Sequence, residues 1–195
     1  MCGDEWTWLT FTNFWEYGKM LDENDRDAGL LLNFTGDGKG KTSAALGIAL
    51  RALGWGWRVG LLQFMKGTRD TGEKLFFARH FPELLSEQYG LGLLSHPGNH
   101  AELAQQGWLR AKTLLTDFPG ELLILDELNN VLHHGFLDRA EVIQALLGRR
   151  PELNVVITGR NAPEELLAIC DLVSEVLERK HPYRKGVPAR KGLDY

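Results

Sequence analysis

From Leu30 onward, short apolar runs recur along the chain at Leu30–Phe34, Val59–Phe64, Leu122–Leu125, Val155–Thr158 and Leu172–Val176. Each has the length of a strand, and helix-patterned segments such as Ala44–Leu53 lie between them. Apolar runs without strict alternation mark strands covered on both faces, and their alternation with helices predicts an α/β fold with a mostly parallel sheet flanked by helices. Helix starts are expected at Asp138, with Glu141 three residues on, and at Asn161, with Glu164 three residues on and Pro163 in the first turn.

Two stretches depart from this rhythm. Residues 66–107 are broken by Gly67, Gly72, Gly90, Gly92, Gly98, Pro82 and Pro97, and mobile loops are expected there, beside a ligand. Residues 1–29 precede the first strand and hold Trp6, Trp8, Phe11, Phe14, Trp15 and Tyr17. On a helix, Trp8, Phe11 and Trp15 would share one face. The chain therefore divides into an aromatic-rich segment, 1–29, and one α/β domain, 30–195.

Composition narrows the classes. The 195 residues carry 44% hydrophobic and 25% charged positions, ordinary values for a folded domain. A net charge of −4 argues against nucleic acid as partner, although Arg179, Lys180, Arg184, Lys185, Arg190 and Lys191 make a basic stretch suited to a phosphate-rich ligand. Cys2 and Cys170 are too few for a metal knuckle or a disulfide framework, which points to a reducing, cytoplasmic setting. No apolar run approaches the roughly 20 residues of a membrane span, and no secretory leader is evident. His96, His100, His133 and His134 show no metal-ligand spacing.

The chemistry concentrates at strand ends. Thr35-Gly36-Asp37-Gly38-Lys39-Gly40-Lys41-Thr42-Ser43 joins the first strand to a helix, the context of a phosphate-binding P-loop. Glycines let backbone N–H groups turn toward phosphate oxygens, and the helix start adds positive potential. Lys41 is the candidate phosphate contact and Thr42 a candidate Mg²⁺ ligand. The general spacing, GxxxxGK then Ser or Thr, puts glycine where this chain has Thr35. The strand Leu122–Leu125 ends in Asp126-Glu127, two acids at the edge where a metal-bound phosphate would lie. Because successive strand residues point to opposite faces, one of the two is expected to reach the metal. Arg160, after Thr158-Gly159, is a candidate for phosphate or ribose, although a lone arginine is commonly a surface ion-pair partner.

Taken together, TGDGKGKTSAALG at Thr35–Gly47, Arg51 with Ala52-Leu53-Gly54, VGLLQFMKGT at Val59–Thr68, LLILDELN at Leu122–Asn129, VVITGR at Val155–Arg160 and the tail Lys180–Tyr195 resemble the P-loop corrinoid adenosyltransferases. The resemblance runs in order through most of the chain and includes the threonine at position 35. It implies a P-loop NTPase fold of the RecA-like kind and a transferase that moves the 5′-deoxyadenosyl group of ATP to Co(I) of a corrinoid, releasing triphosphate. ATP would lie across the loop in the reverse of the usual sense, contacted by Thr35 to Ser43, Arg51 and Arg160. Lys41 is the implied catalytic residue, with Mg²⁺ held by Thr42 and by Glu127 or Asp126. A homodimer and a flavoprotein-type reductant are implied as partners. Family members carry a Gly-Phe-Thr-Trp-like run whose aromatics crowd the corrin; the corresponding run here is Gly92-Leu93-Leu94-Ser95. Leu93 is then a candidate corrin contact, and Trp8, Phe11 and Trp15 are candidates to replace the missing rings as a lid.

Overall fold

The computed structural model describes residues 28–67, 70–92 and 97–195. The proposed corrin contacts Trp8, Phe11, Trp15 and Leu93 lie outside the described residues. Six strands form one sheet: β1 (Leu31–Thr35), β2 (Val59–Gln63), β3 (Leu85–Gln88), β4 (Leu122–Asp126), β5 (Asn154–Thr158) and β6 (Leu172–Glu175). Their spatial order is β3-β2-β4-β5-β1-β6, and every pairing is parallel. The apolar runs of β2 and β4 are buried at all five positions, and β1 alternates buried with half-buried residues. These are the strands a two-sided cover requires.

Helices supply that cover. On one face lies α1 (Lys41–Gly54), whose Ala45, Ala49 and Ala52 pack on Val59, Leu61, Ile124 and Val156. The opposite face carries α3 (His100–Asp117), α4 (Leu128–His133) and α5 (Arg139–Leu147), which follow α2 (Gly72–His80) in the chain. Trp108, Leu115, Val131, Val142 and Leu146 join Leu62, Leu123, Leu125 and Ile157 in the larger core. Asp138 caps α5 by accepting a hydrogen bond from the Glu141 N–H at 2.8 Å, as the sequence predicts.

Two expectations are corrected. The stretch 66–107 is not only loop: it holds α2, β3 and the start of α3. β3 is an edge strand, Leu-Ser-Glu-Gln, without a fully buried position, and α2 buries only Phe77, so neither leaves a strong hydrophobic period. Asn161 is not a helix cap. It takes a left-handed φ of 53°, and the short α6 (Glu164–Leu167) starts three residues later behind Pro163, whose carbonyl accepts from the Leu166 and Leu167 N–H groups. Pro163 occupies the cap position itself, with extended backbone and no side-chain cap, so the helix begins without the hydrogen bond an asparagine would have supplied.

Candidate nucleotide and metal site

All six strands run parallel, so their carboxyl ends share one edge, and the loops leaving it bound a cavity of about 870 Å³. Gly38, Lys39, Gly40, Lys41, Thr42 and Ser43 form one side; Glu127, Asn130 and Arg160 come from the exits of β4 and β5. Lys66 after β2, Glu73 on α2 and the tail residues Gly192 to Tyr195 close the rest. Thr35, Gly36 and Asp37 face a separate cleft of about 560 Å³ on the other side of the loop.

The loop is shaped by its neighbours. Gly36 has φ 93°, and a Cβ there would stand 2.6 Å from the Val176 carbonyl oxygen, so no other residue fits. Gly38 N–H donates to that same carbonyl at 2.7 Å, and the Thr35 hydroxyl accepts from Ala162 N–H at 3.2 Å. The P-loop is thereby fastened to the exits of both strands that flank β1. The Lys41 ammonium donates to the carbonyls of Gly36 at 2.7 Å and Gly38 at 2.6 Å. Burial lowers its pKa, the negative charge of Glu127 opposes that shift, and Arg160 adds to it. Lys39 is ion-paired with Asp194.

The two acids have different surroundings. Asp126 is fully buried, and its Oδ1 accepts from the hydroxyls of Thr42 at 2.8 Å and Thr158 at 2.7 Å. Its Oδ2 accepts from the Gln63 amide at 3.0 Å. Glu127 follows the strand in a left-handed conformation, φ 66°, which turns its side chain toward the cavity; its backbone N–H donates to Thr158 Oγ1 at 3.0 Å. Glu127 Oε2 is buried and has no hydrogen-bond partner among the described residues. Burial, then the charge of Asp126, pushes the Glu127 carboxyl above the usual carboxylate range.

These residues fit a hard divalent cation. Thr42 donates its hydroxyl hydrogen bond to Asp126, leaving an oxygen lone pair for a metal, and Glu127, which lines the same cavity, has an unused buried oxygen. Among the described residues no three His, Cys, Asp or Glu side chains form a metal cage. Mg²⁺ suits such a sparse set, since it is ordinarily held by one or two protein groups together with phosphate oxygens.

The sequence-derived candidates divide accordingly. The structure gathers Gly38 to Ser43, Glu127 and Arg160 around one cavity, with Asp126 directly behind Thr42. Arg160 is exposed, and its backbone N–H donates to Asn130 Oδ1 at 2.5 Å. Arg51 is exposed in the last turn of α1, roughly 15 Å along the helix from Lys41. It does not line the cavity. Sequence reasoning assigned no role to Gln63, Lys66 or Asn130. Lys66 shares with Arg160 the one available signal, a cation just beyond a strand's carboxyl end.

A parallel sheet with a glycine loop after β1 and an acid pair after β4 defines a P-loop nucleotide-binding protein. Comparison with known proteins then fixes the family. Residues 27–195 match the family described as ATP:corrinoid adenosyltransferase BtuR/CobO/CobP. A corrinoid adenosyltransferase of Sinorhizobium sp is 34% identical over 91% of this chain and 85% of its own length. One from Pseudomonas aeruginosa is 39% identical over 87% of this chain and 85% of its own. The chain belongs to the ATP:corrinoid adenosyltransferase family. The crystal structure of the flagellar accessory protein FlaH from Methanocaldococcus jannaschii shares the fold, with TM-score 0.52 and 12% identity over 79% of this chain and 76% of that one. No helix among the described residues is long and apolar enough to cross a membrane.

Proposed function

We propose that this chain transfers the 5′-deoxyadenosyl group of ATP to the cobalt of a corrinoid, in cobalamin biosynthesis or salvage. The observation that carries this reading is the joining of Lys41, Thr42, Asp126, Glu127 and Arg160 at one cavity, in a chain matched to the adenosyltransferase family over almost its whole described length. In the reaction the Co(I) electron pair attacks the 5′ carbon of ATP. A cobalt–carbon bond forms as the carbon–oxygen bond breaks, and its electron pair leaves with triphosphate.

The transfer itself needs no base from the protein. Lys41 exchanges its two loop carbonyls for triphosphate oxygens, and the loop N–H groups and Arg160 surround the same charge. Thr42 and Glu127 would hold Mg²⁺, with Asp126 fixing the direction of the Thr42 hydroxyl. When bound, the ion neutralises charge that collects on the leaving triphosphate. Lys39 lines the cavity with the rest of the loop, Thr35 to Asp37 shape the loop from the smaller cleft, and Arg51 contributes only positive charge at the far end of the helix. A reducing cytoplasm and a flavoprotein-type reductant accord with Co(I) chemistry, and a homodimer is proposed from the family resemblance alone.

Residues 1–29 are proposed to cover the corrin, with Trp8, Phe11 and Trp15 replacing the aromatic pair missing around Leu93. A patch of such rings does not stay in water uncovered. Deletion of residues 1–28 is expected to spare ATP affinity and weaken corrinoid affinity sharply. Equal loss of both, with reduced thermal stability, would make the segment structural.

The activity is tested by incubating the protein with ATP, Mg²⁺ and a chemically reduced corrinoid. Triphosphate together with a light-sensitive alkyl corrinoid is the expected product pair. Release of ADP would instead place the chain among phosphotransferases or ATPases.

A further inference from the structure

The carboxyl edge of the sheet carries a row of hydrogen-bonded polar side chains whose outer members, Gln63 and Gln88, the adenosyl-transfer chemistry leaves unused. In register, Gln88 of β3 stands beside Gln63 of β2, and Gln63 beside Asp126 of β4. The Gln88 amide donates to Gln63 Oε1 at 3.0 Å, Gln63 Nε2 donates to Asp126 Oδ2 at 3.0 Å, and Thr42 and Thr158 donate to Asp126 Oδ1. Gln63 is 1% exposed, and Asp126 and Thr158 are fully buried. A buried glutamine in a strand otherwise made of Val, Gly and Leu carries a desolvation cost, which its two hydrogen bonds must offset.

The chemistry of the row gives it a direction. An ionised carboxylate only accepts, so Gln63 must turn its NH₂ to Asp126 and its carbonyl to β3, where Gln88 supplies a donor. Asp126 Oδ2 is thereby occupied, and Oδ1 is left to receive the Thr42 proton. The backbone beyond Gln88 packs on the segment that leaves β2 toward the cavity. Gly90 lies against the backbone after β2, where a Cβ would come within 2.5 Å of the Phe64 carbonyl oxygen, and Lys66 of that segment lines the cavity.

We propose that Gln63 is a positioning residue for the metal site: oriented by Gln88, it fixes the Asp126 carboxylate so that the Thr42 hydroxyl presents its lone pair to Mg²⁺. The inference rests on the nucleotide reading of the cavity and adds to it the residues that set the threonine's direction. It also makes the edge strand β3 part of the metal site, although no β3 side chain reaches the cation.

The test compares nucleotide binding with and without metal, in the absence of corrinoid. Gln63→Met keeps the shape of the side chain and removes both hydrogen bonds. It is expected to raise the Mg²⁺ concentration for half-maximal ATP binding about tenfold, the usual consequence of losing a group that orients a metal ligand. Metal-free ATP binding should change less than about twofold, since the P-loop N–H groups and Lys41 are untouched; a general loss of structure would lower both alike. Gln88→Met, on the half-exposed edge strand, tests the row should Gln63→Met not fold, and is expected to raise the Mg²⁺ requirement about threefold. An unchanged Mg²⁺ requirement in the folded variants overturns the inference and leaves the nucleotide reading standing. Failure of the parent protein to bind ATP with Mg²⁺ overturns the nucleotide reading and the inference together.

Discussion

The two walls of the cavity are built differently. The wall of β1, β4 and β5 sets its functional groups with backbone and buried hydrogen bonds: Gly38 to Val176, Thr35 to Ala162, Thr42 and Thr158 to Asp126. The wall formed by the exit of β2 and by α2, with β3 beside β2 as its support, relies on partly exposed ion pairs. Lys66 faces Glu73 at 3.9 Å in the cavity lining, and on the supporting strand Arg110 meets Glu87 at 3.1 Å. Buried hydrogen bonds hold a geometry because breaking one leaves an unsatisfied polar group, whereas exposed pairs exchange readily with water. The first wall is thus suited to a ligand of fixed shape, the triphosphate, and the second to adjusting around a larger partner.

Lys41→Ala tests the fixed wall at its centre and is expected to have the largest effect. Loss of that one aimed charge should lower the transfer rate by roughly 10² to 10³, with the folded state retained. A rate within about threefold of the parent would remove the P-loop from the chemistry. Next in size, Glu127→Gln should raise the Mg²⁺ requirement by at least about tenfold, more than Asp126→Asn does. Asp126→Asn should instead give the larger fall in Tm, because Asp126 holds two hydroxyls and an amide in the core while Glu127 Oε2 holds none. Titration with Mg²⁺ and thermal melts of both variants separate the roles, and a reversed order would exchange them.

The adjustable wall should respond weakly. Burial pushes the Glu87 carboxyl up, but the Tyr89 hydroxyl and the Arg110 guanidinium outweigh it and hold Glu87 below its usual range. Burial, then the Glu87 hydrogen bond, pushes the Tyr89 phenol up to about 12. A carboxylate with a depressed folded pKa stabilises the protein above its unfolded pKa, and that contribution fades as pH falls through the folded value. Glu87→Gln should therefore lower Tm by no more than about 3 °C at neutral pH. The difference from the parent should shrink further in acid. A larger loss would mean that the second wall is as rigid as the first.

The same division governs what could be read in the sequence. β1, β2, β4 and β5 announce themselves because strands covered on both sides must be apolar throughout, and the P-loop because its glycines leave no substitute. β3 and α2 stayed hidden because half-exposed elements impose little on composition. Arg51 was grouped with the nucleotide by motif alone, and the turns of α1 carry it to the far end. Gln63 was invisible for another reason. Its meaning lies in its register neighbours Gln88 and Asp126, which are distant in sequence and meet only in the sheet.

The placement of β1 has a consequence for how this protein is made. Among the described residues its strand partners are β5 and β6, with Leu31 pairing to Val155 and Leu32 to Leu172. During synthesis at about 5–20 residues per second, the glycine loop therefore waits on the order of ten seconds for the strands that will shape it. Until then Leu31 to Phe34 is an apolar strand with two bare edges, the kind of segment that chaperones bind and that aggregates when they are scarce. A strand translated well before β5 and β6 thus acquires its form only after them. Slowing the ribosome between β4 and β5 should lengthen this exposure, and lower soluble yield without altering the finished enzyme.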